Sequence, residues 1–172
     1  MKKWLLAVLV LGIFVLAGCA KNINQGVEAM EIGKYKEAKE SFERQIKKGK
    51  HLDEAYRGLG MAHFELEEYE AAISAFELAL KAEAEETSTM YNMMGVCYMK
   101  IESYEKALDV YKKALELEDI SKETKQEMLY NLIAIYEGMA DWESAKEQMR
   151  LYREAYPNDE RVEKEADFLE TR

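Results

Sequence analysis

The sequence predicts an all-α protein of stacked helical hairpins, and three observations support this fold class. The 172 residues contain only one proline, Pro157, whereas proline and glycine punctuate loop-rich and all-β chains. Apolar residues recur every three or four positions along most of the chain, which is the spacing of one face of an α-helix. A pattern of aromatic and alanine residues also recurs at intervals of 34, 35 and 38 residues, as in repeat proteins.

Four segments share this pattern, in which an aromatic residue is followed by alanine three positions later and by a bulky residue four positions after that. The segments are Tyr35-Ala38-Phe42, Tyr69-Ala72-Phe76, Tyr104-Ala107-Tyr111 and Trp142-Ala145-Met149. Gly26, Gly60 and Gly95 each lie nine residues before the aromatic residue, and Ile133 takes that place in the fourth segment. A small residue at a helix crossing lets the two backbones come close. Each segment therefore predicts two amphipathic helices, which must stack on neighbouring hairpins to bury their apolar faces.

The apolar periodicity gives approximate bounds for the helices. Eight are predicted, at about 21–32, 35–48, 52–66, 69–82, 88–101, 104–117, 122–139 and 142–155. The stretch from Glu118 to Lys122 predicts an extended turn or a longer helix. Asn158 and Asp159 are typical of a helix start, so a ninth helix is expected from Arg161 to Leu169, covering the last hairpin.

This pattern resembles the tetratricopeptide repeat. The second and third repeats carry it best, with Tyr56, Leu59, Gly60, Ala72, Phe76 and Ala79, and with Tyr91, Gly95, Tyr98, Ala107, Tyr111 and Ala114. The first and last repeats depart most, as capping repeats do. The resemblance implies a right-handed superhelical solenoid of about four helix-turn-helix repeats over residues 22–157, followed by a C-terminal capping helix over residues 158–172.

The N-terminus carries a targeting signal. Lys2 and Lys3 precede an apolar stretch over residues 4–17, which is shorter than the roughly 20 residues of a membrane span and typical of a signal peptide. The following Leu16-Ala17-Gly18-Cys19 resembles the lipobox of bacterial lipoproteins. This resemblance implies a signal peptide over residues 1–18, a lipidated Cys19 with a short tether to residue 21, and an extracytoplasmic protein anchored to a bacterial membrane. Which membrane stays open, and an ordinary secretory signal is the alternative.

Composition argues against several function classes. The formal net charge is -10, which argues against nucleic-acid binding and favours cationic or neutral partners. The chain has two histidines, His51 and His63, too few groups for a catalytic constellation. His63 and Cys97 are also too few for a zinc site. Gly58-Leu59-Gly60 is a weak signal for a dinucleotide-binding loop, because no strand precedes it and it lies inside a predicted helix. We therefore expect a non-enzymatic protein without cofactor or metal.

The first helix of each repeat is expected to line the concave face of the solenoid. The candidate binding residues lie about one turn either side of the glycine position: Arg57, Met61, Phe64, Asn92, Val96, Met99, Tyr130 and Asn131. The apolar members predict a floor that accommodates varied side chains, and the Arg and Asn side chains could hydrogen-bond a peptide backbone. The alternative for the methionine and aromatic residues is a place in the core between helices.

Three functional hypotheses follow from these patterns. The first is a membrane-anchored scaffold that holds a protein or peptide partner in its concave groove. The second keeps the anchor but places partner binding or homo-oligomerisation on the convex or terminal surfaces. The third is an enzyme or a small-ligand receptor, which the scarcity of catalytic groups opposes.

Overall fold

The computed structural model describes residues 25–162 together with residues 166 and 169. Within this part of the chain all regular secondary structure is helical, which confirms the predicted all-α class. None of the helices found there has the length and apolarity needed to cross a bilayer. The apolar N-terminal stretch and Cys19 lie outside the described residues, so the lipid anchor stays a prediction.

The helices begin and end close to where the apolar spacing places them. Helix α1 is described over residues 25–31, and the others are α2 (Tyr35–Lys47), α3 (Leu52–Glu65), α4 (Tyr69–Lys81), α5 (Ser88–Lys100), α6 (Tyr104–Leu115), α7 (Lys122–Gly138) and α8 (Trp142–Ala155). Residues 161, 162, 166 and 169 are also helical. The segment between α6 and α7 is an extended turn rather than a longer helix.

Each hairpin closes with the same turn. The residue two positions before the aromatic residue has a positive φ, at Gly33 (72°), Glu67 (58°), Glu102 (58°) and Ala140 (56°). The next residue donates its backbone N–H to the carbonyl five positions earlier, from Lys34 to Ala29 (2.8 Å), Glu68 to His63 (2.9 Å), Ser103 to Tyr98 (2.8 Å) and Asp141 to Tyr136 (2.9 Å). This bond satisfies a free carbonyl at the helix end. Four copies of one turn confirm the four predicted helix-turn-helix repeats.

The connections between repeats depend on side chains. Thr87 caps α5 by accepting the N–H of Met90 at 3.3 Å, and Ser121 caps α7 by accepting the N–H of Thr124 at 3.0 Å. Asp119, in the extended turn after α6, accepts the Ser88 N–H with both carboxylate oxygens at 3.0 and 3.1 Å. This contact fixes the start of α5 against the end of its own hairpin.

The chain divides into two compact units, which meet in sequence between Glu85 and Glu86. In unit 1, α3 packs against α2 and α4; in unit 2, α5 packs on α6, and α7 on α6 and α8. The unit 1 core contains Ala29, Ala38, Phe42 and Ala62. A core cluster at the end of unit 2 contains Ile133, Ala145, Met149, Tyr152, Val162, Ala166 and Leu169. Val162, Ala166 and Leu169 thus cover the last hairpin, as the ninth-helix prediction expects.

The repeated glycines accommodate aromatic rings rather than a second backbone. A Cβ atom added to Gly60 would lie 2.7 Å from the Phe76 ring, and one added to Gly95 would overlap the Tyr111 ring. Both rings are completely buried. The predicted need for a small residue is therefore confirmed, but its physical reason is a ring from the second helix of the same hairpin.

Candidate binding grooves

Unit 1 has a groove between its first helices α1 and α3. Its volume is about 520 Å³. We call it the unit 1 groove; it is lined by Val27, Met30, Glu31, Phe42, Glu54, Arg57, Gly58 and Met61. On each helix these residues are three or four positions apart, so they share one face. The predicted residues Arg57 and Met61 are brought together here.

The unit 1 groove combines an apolar floor with charged walls. Val27 is 45% exposed although it is apolar. The guanidinium of Arg57 makes no hydrogen bond or ion pair with any described residue. Glu31 and Glu54 are exposed carboxylates on the two helices. The groove therefore offers charges of both signs around an apolar centre.

Two glycines let the floor of this groove form. Cβ atoms on Gly26 and Gly58 would both overlap the ring of Phe42. Gly58 and Gly60 lie two positions apart on α3, about 200° around the helix, so they face different neighbours: Phe42 from the preceding hairpin and Phe76 from their own. In the sequence, Gly58 stands out only as part of the Gly58-Leu59-Gly60 stretch. The 200° separation was the available signal for its packing role.

Unit 2 has a second groove, between α5 and α7. Its volume is about 380 Å³. We call it the unit 2 groove; it is lined by Val96, Met99, Lys100, Tyr104, Asn131 and Ala134. Three predicted residues, Val96, Met99 and Asn131, therefore meet at one place. Tyr104 was assigned only to the repeat pattern, and its ring lies where a Cβ on Gly138 would be.

Asn131 has a structural contact as well as a place in the groove. Its Nδ2 donates to the hydroxyl oxygen of Tyr111 at 3.0 Å. Burial raises the pKa of Tyr111 well above its usual value, so the phenol stays neutral. A buried hydroxyl without a partner would be costly. Asn131 therefore helps to stabilise the core beneath the groove.

The remaining predicted residues lie outside the lining of both grooves. The side-chain amide of Asn92 forms no hydrogen bond with any described residue, and its Oδ1 is buried. Phe64 is partly buried on α3. Tyr130 packs against the unit 2 core cluster and makes an edge-to-face contact with Tyr152, with ring centroids 5.7 Å apart.

Tyr130 is also covered by the C-terminal segment. The guanidinium carbon of Arg161 lies 4.6 Å from the centroid of the Tyr130 ring. Arg161 also pairs with Glu127 at 2.9 Å and with Asp159 at 2.7 Å. The binding roles of all eight predicted residues stay predictions, but these contacts show which of them share a surface.

The histidine of α3 belongs to an ionic cluster. His63 Nδ1 lies 2.5 Å from Glu68 Oε2, and Lys39 Nζ lies 2.8 Å from the same oxygen. The Lys39 ammonium and then His63 lower the pKa of the Glu68 carboxyl. Among the described residues no group of three or more His, Cys, Asp and Glu side chains is placed to hold a metal ion.

Comparison with known families decides the interpretation of the repeats. A tetratricopeptide repeat model matches residues 23–86, and a second model of the same description matches residues 88–119; together they span more than half of the chain. The chain belongs to the tetratricopeptide repeat family. The resemblance inferred from Gly60, Gly95 and the alanines is thereby confirmed.

Several solved structures share this fold. YrrB, described as a protein with an unusual peptide-binding site, has a TM-score of 0.73 at 22% identity, covering 86% of this chain and 74% of YrrB. MamA from Desulfovibrio magneticus RS-1 has a TM-score of 0.74 at 19% identity, covering 89% of this chain and 84% of MamA. Another MamA structure has a TM-score of 0.74 at 16% identity, covering 88% and 80%. No curated protein matches the sequence at a significant level.

Proposed function

We propose that this tetratricopeptide repeat protein is a non-enzymatic scaffold that binds extended segments of other proteins in the unit 1 and unit 2 grooves. The observation that carries the proposal is the shared design of the two grooves. Each lies between consecutive first helices and has an apolar centre flanked by polar side chains. Stacked repeats use this surface for binding.

Charged side chains without an ion-pair partner support the proposal. Arg57 and Lys100 line the grooves and make no ion pair with any described residue. An extended peptide backbone offers donors and acceptors to such groups. YrrB, whose fold is similar, is described as having a peptide-binding site.

Capture of the partner by two matched variants tests the unit 1 groove. Val27 and Leu151 are almost equally exposed, at 45% and 46%, but only Val27 lines a groove. We expect Val27→Asp to reduce in-cell crosslinking of the partner, because a carboxylate in the apolar floor must be desolvated when a peptide binds. Leu151→Asp should leave crosslinking unchanged. Equal losses in both variants would contradict the groove assignment.

Membrane anchoring is a separate part of the proposal. The Leu16-Ala17-Gly18-Cys19 motif supports removal of residues 1–18 and a mature N-terminus lipidated at Cys19, and anchoring by two or more acyl chains is stable. We expect labelled fatty acid to be incorporated into the wild-type protein and not into Cys19→Ala. Labelling that persists in the variant would reject Cys19, and a secreted, unlabelled wild-type protein would indicate an ordinary signal peptide.

A terminal surface is the second candidate for binding. A pocket of about 590 Å³ lies along α8, with Met149, Ala166 and Leu169 among its lining residues and Arg150 and Arg153 on α8. It favours the hypothesis of oligomerisation through the end repeat. Light scattering on a soluble fragment of residues 20–172 tests this surface. A concentration-dependent dimer that substitution of the exposed Arg153 (Arg153→Glu) abolishes supports the terminal surface, and a monomer at high concentration excludes it.

A further inference from the structure

We infer that the unit 2 groove is specific for a protein segment that presents an apolar side chain next to an internal acidic one, with the carboxylate held by Lys100. This inference rests on the proposed function and names the chemistry of the partner for one of its two grooves. It follows from which groups line the groove and which do not.

The apolar side chain has a preformed place. Val96 and Met99 lie on α5, and Ala134 faces them from α7. Ala134 leaves space because its side chain is a single methyl group. The Tyr104 ring bounds the pocket and is held against Gly138, where no Cβ could be accommodated without displacing it. A pocket of about 380 Å³ accommodates one branched or aromatic side chain together with part of its backbone.

The polar groups around this pocket can all donate hydrogen bonds. Lys100 is exposed and makes no ion pair with any described residue. The Tyr104 hydroxyl makes no hydrogen bond with the described part of the chain. Asn131 uses one amide hydrogen on Tyr111 and keeps its second. An anionic acceptor is the ligand group that satisfies three such donors.

No carboxylate competes for these donors among the residues that line the groove. Helix α5 has no acidic residue between Ser88 and Lys100. Glu137, the next carboxylate along α7, is not among the lining residues and has an Oε1 atom buried in the fold. The unit 2 groove is thus locally cationic in a chain whose formal net charge is -10.

The unit 1 groove provides an internal contrast. Its lining includes two carboxylates, Glu31 and Glu54, against one cation, Arg57. The charge of this lining has the same sign as the net charge of the chain, from which the sequence predicts cationic or neutral partners. The lining of the unit 2 groove has the opposite charge, so the net charge of the chain does not predict which ligands this groove prefers. A segment that spans apolar and acidic positions complements only the unit 2 groove.

A peptide array tests this preference with the full chain in a non-ionic detergent. Ten-residue peptides with blocked termini carry Leu-Glu, Leu-Gln, Leu-Lys or Ser-Glu at the centre of a glycine-serine context. We expect retention on Leu-Glu to exceed that on Leu-Gln by about fivefold, as for one partly exposed charge-assisted hydrogen bond. Ser-Glu should be retained weakly because it leaves the apolar pocket empty.

Variants of Lys100 assign the preference to this groove. Lys100→Gln should equalise Leu-Glu and Leu-Gln, and Lys100→Glu should shift the preference to Leu-Lys. Lys81→Gln is the matched control, because Lys81 is also an exposed last residue of a helix, α4, and lines neither groove. It should keep the wild-type preference.

The outcomes separate this inference from the proposed function. Peptide retention that Val27→Asp weakens but that shows no Glu over Gln preference contradicts the inference and leaves the scaffold intact. A Leu-Glu preference that survives in Lys100→Gln also overturns it. If no array peptide is retained by the wild-type chain, both the inference and groove binding of extended segments are wrong.

Discussion

The two units use the same backbone pattern but fill it with different rings. In unit 1 the ring positions hold Phe42 and Phe76, which pack on glycines without any polar atom. In unit 2 the corresponding position holds Tyr111, which packs on Gly95 and places a hydroxyl in the core. The repeat thus tolerates a buried phenol, provided that a neighbouring helix supplies a partner for it.

Unit 2 satisfies the hydroxyl groups of its buried tyrosines with side chains from another helix or from the segments that connect helices. Tyr91 donates to Glu86 at 2.6 Å, and Tyr152 donates to Asp159 at 2.5 Å. Burial and then Glu86 raise the pKa of Tyr91 to about 12. Each such bond ties a core ring to a connection, so unit 2 couples its packing to its loops more than unit 1 does.

The end repeats also differ from the inner ones at the position ten residues after the aromatic residue. The inner repeats have the small residues Ala79 and Ala114 there, whereas the outer repeats have Gln45 and Tyr152. The buried Gln45 donates to the carbonyl of Lys50 at 3.1 Å, in the turn after α2. Both polar residues therefore fasten the segment that follows their own helix.

The largest expected effect comes from filling the glycine contacts. Gly95→Ala should lower the free energy of unfolding by about 2 kcal/mol, and Gly60→Ala by about 1 kcal/mol, since overpacking costs more than the gain in helix propensity. The cost is larger in unit 2 because Tyr111 cannot move away without breaking its bond to Asn131. Urea unfolding followed by far-UV circular dichroism measures both values.

A fluorescence readout makes this comparison local. Trp142 lies in unit 2, and Trp4 is the other tryptophan of the chain. In the soluble fragment of residues 20–172, which lacks Trp4, Trp142 emission should report the destabilisation by Gly95→Ala. The same comparison is made in a Tyr111→Leu background, which removes the aromatic ring. If the loss of stability caused by Gly95→Ala is as large there, contact with the Tyr111 ring is not its cause.

The next largest effect concerns the partner of the buried phenol. Asn131→Ala should cost about 1.5 kcal/mol of unfolding free energy, because it leaves the Tyr111 hydroxyl without a hydrogen bond. In a Tyr111→Phe background the same substitution should cost much less. Thermal unfolding of the four chains of this double-mutant cycle measures the coupling, and additive costs would show that the Asn131–Tyr111 bond contributes nothing.

This coupling also affects how binding experiments are designed. Asn131 lines the unit 2 groove and supports its core, so a lost partner in Asn131→Ala would not by itself show a ligand contact. Asn92 makes no hydrogen bond to a described residue, and its substitution separates binding from stability better.

A smaller effect is expected at the turns inside the hairpins. Ala140→Gly in unit 2 should raise, and Gly33→Ala in unit 1 should lower, the unfolding free energy by about 1 kcal/mol, because a left-handed conformation is costly for a residue with a Cβ. The positive φ values are 56° and 72°. Equal stability of Ala140→Gly and wild type in urea unfolding would contradict this account.

The sequence was sufficient for the helices and their turns because these follow from local periodicity. For example, helix α3 is predicted at 52–66 and ends at Glu65. The prediction is close because the apolar stripe and the turn residues that end the helix lie in one continuous segment. The same periodicity placed Arg57 and Met61 on one face with α1 residues. These are properties of one helix and its neighbours, which a repeat pattern encodes.

The contacts of individual groove residues were not predictable in this way. Asn131 meets Tyr111 across 20 residues of sequence, and the rotation of α7 against α6 decides whether they touch. Tyr130 lies beside Asn131 in sequence but is covered by Arg161 from the C-terminal segment. Nothing in the repeat pattern specifies how that segment returns to α7.

The smallest expected effect is the pH dependence of the ionic clusters, for which each unit has one example. Arg161 and then Tyr152 lower the pKa of the Asp159 carboxyl, and Lys39 and then His63 lower that of Glu68. A lowered pKa in the folded state contributes stability above the unfolded pKa, about 3.9 for Asp and 4.3 for Glu, and this is lost as the pH falls through the folded value.

Asp159→Asn and Glu68→Gln should therefore lower the unfolding free energy at pH 7 and have less effect at pH 3. Both effects should be small, because Arg161 and Glu68 are about 40% exposed and solvent screens such pairs. Asp159→Asn should have the larger effect, since its carboxylate also accepts from the Tyr152 phenol of the core. Urea unfolding at the two pH values, with Glu143→Gln as an exposed control on α8, measures these differences. A larger effect of Glu68→Gln would show that the link between core and turn in unit 2 adds nothing.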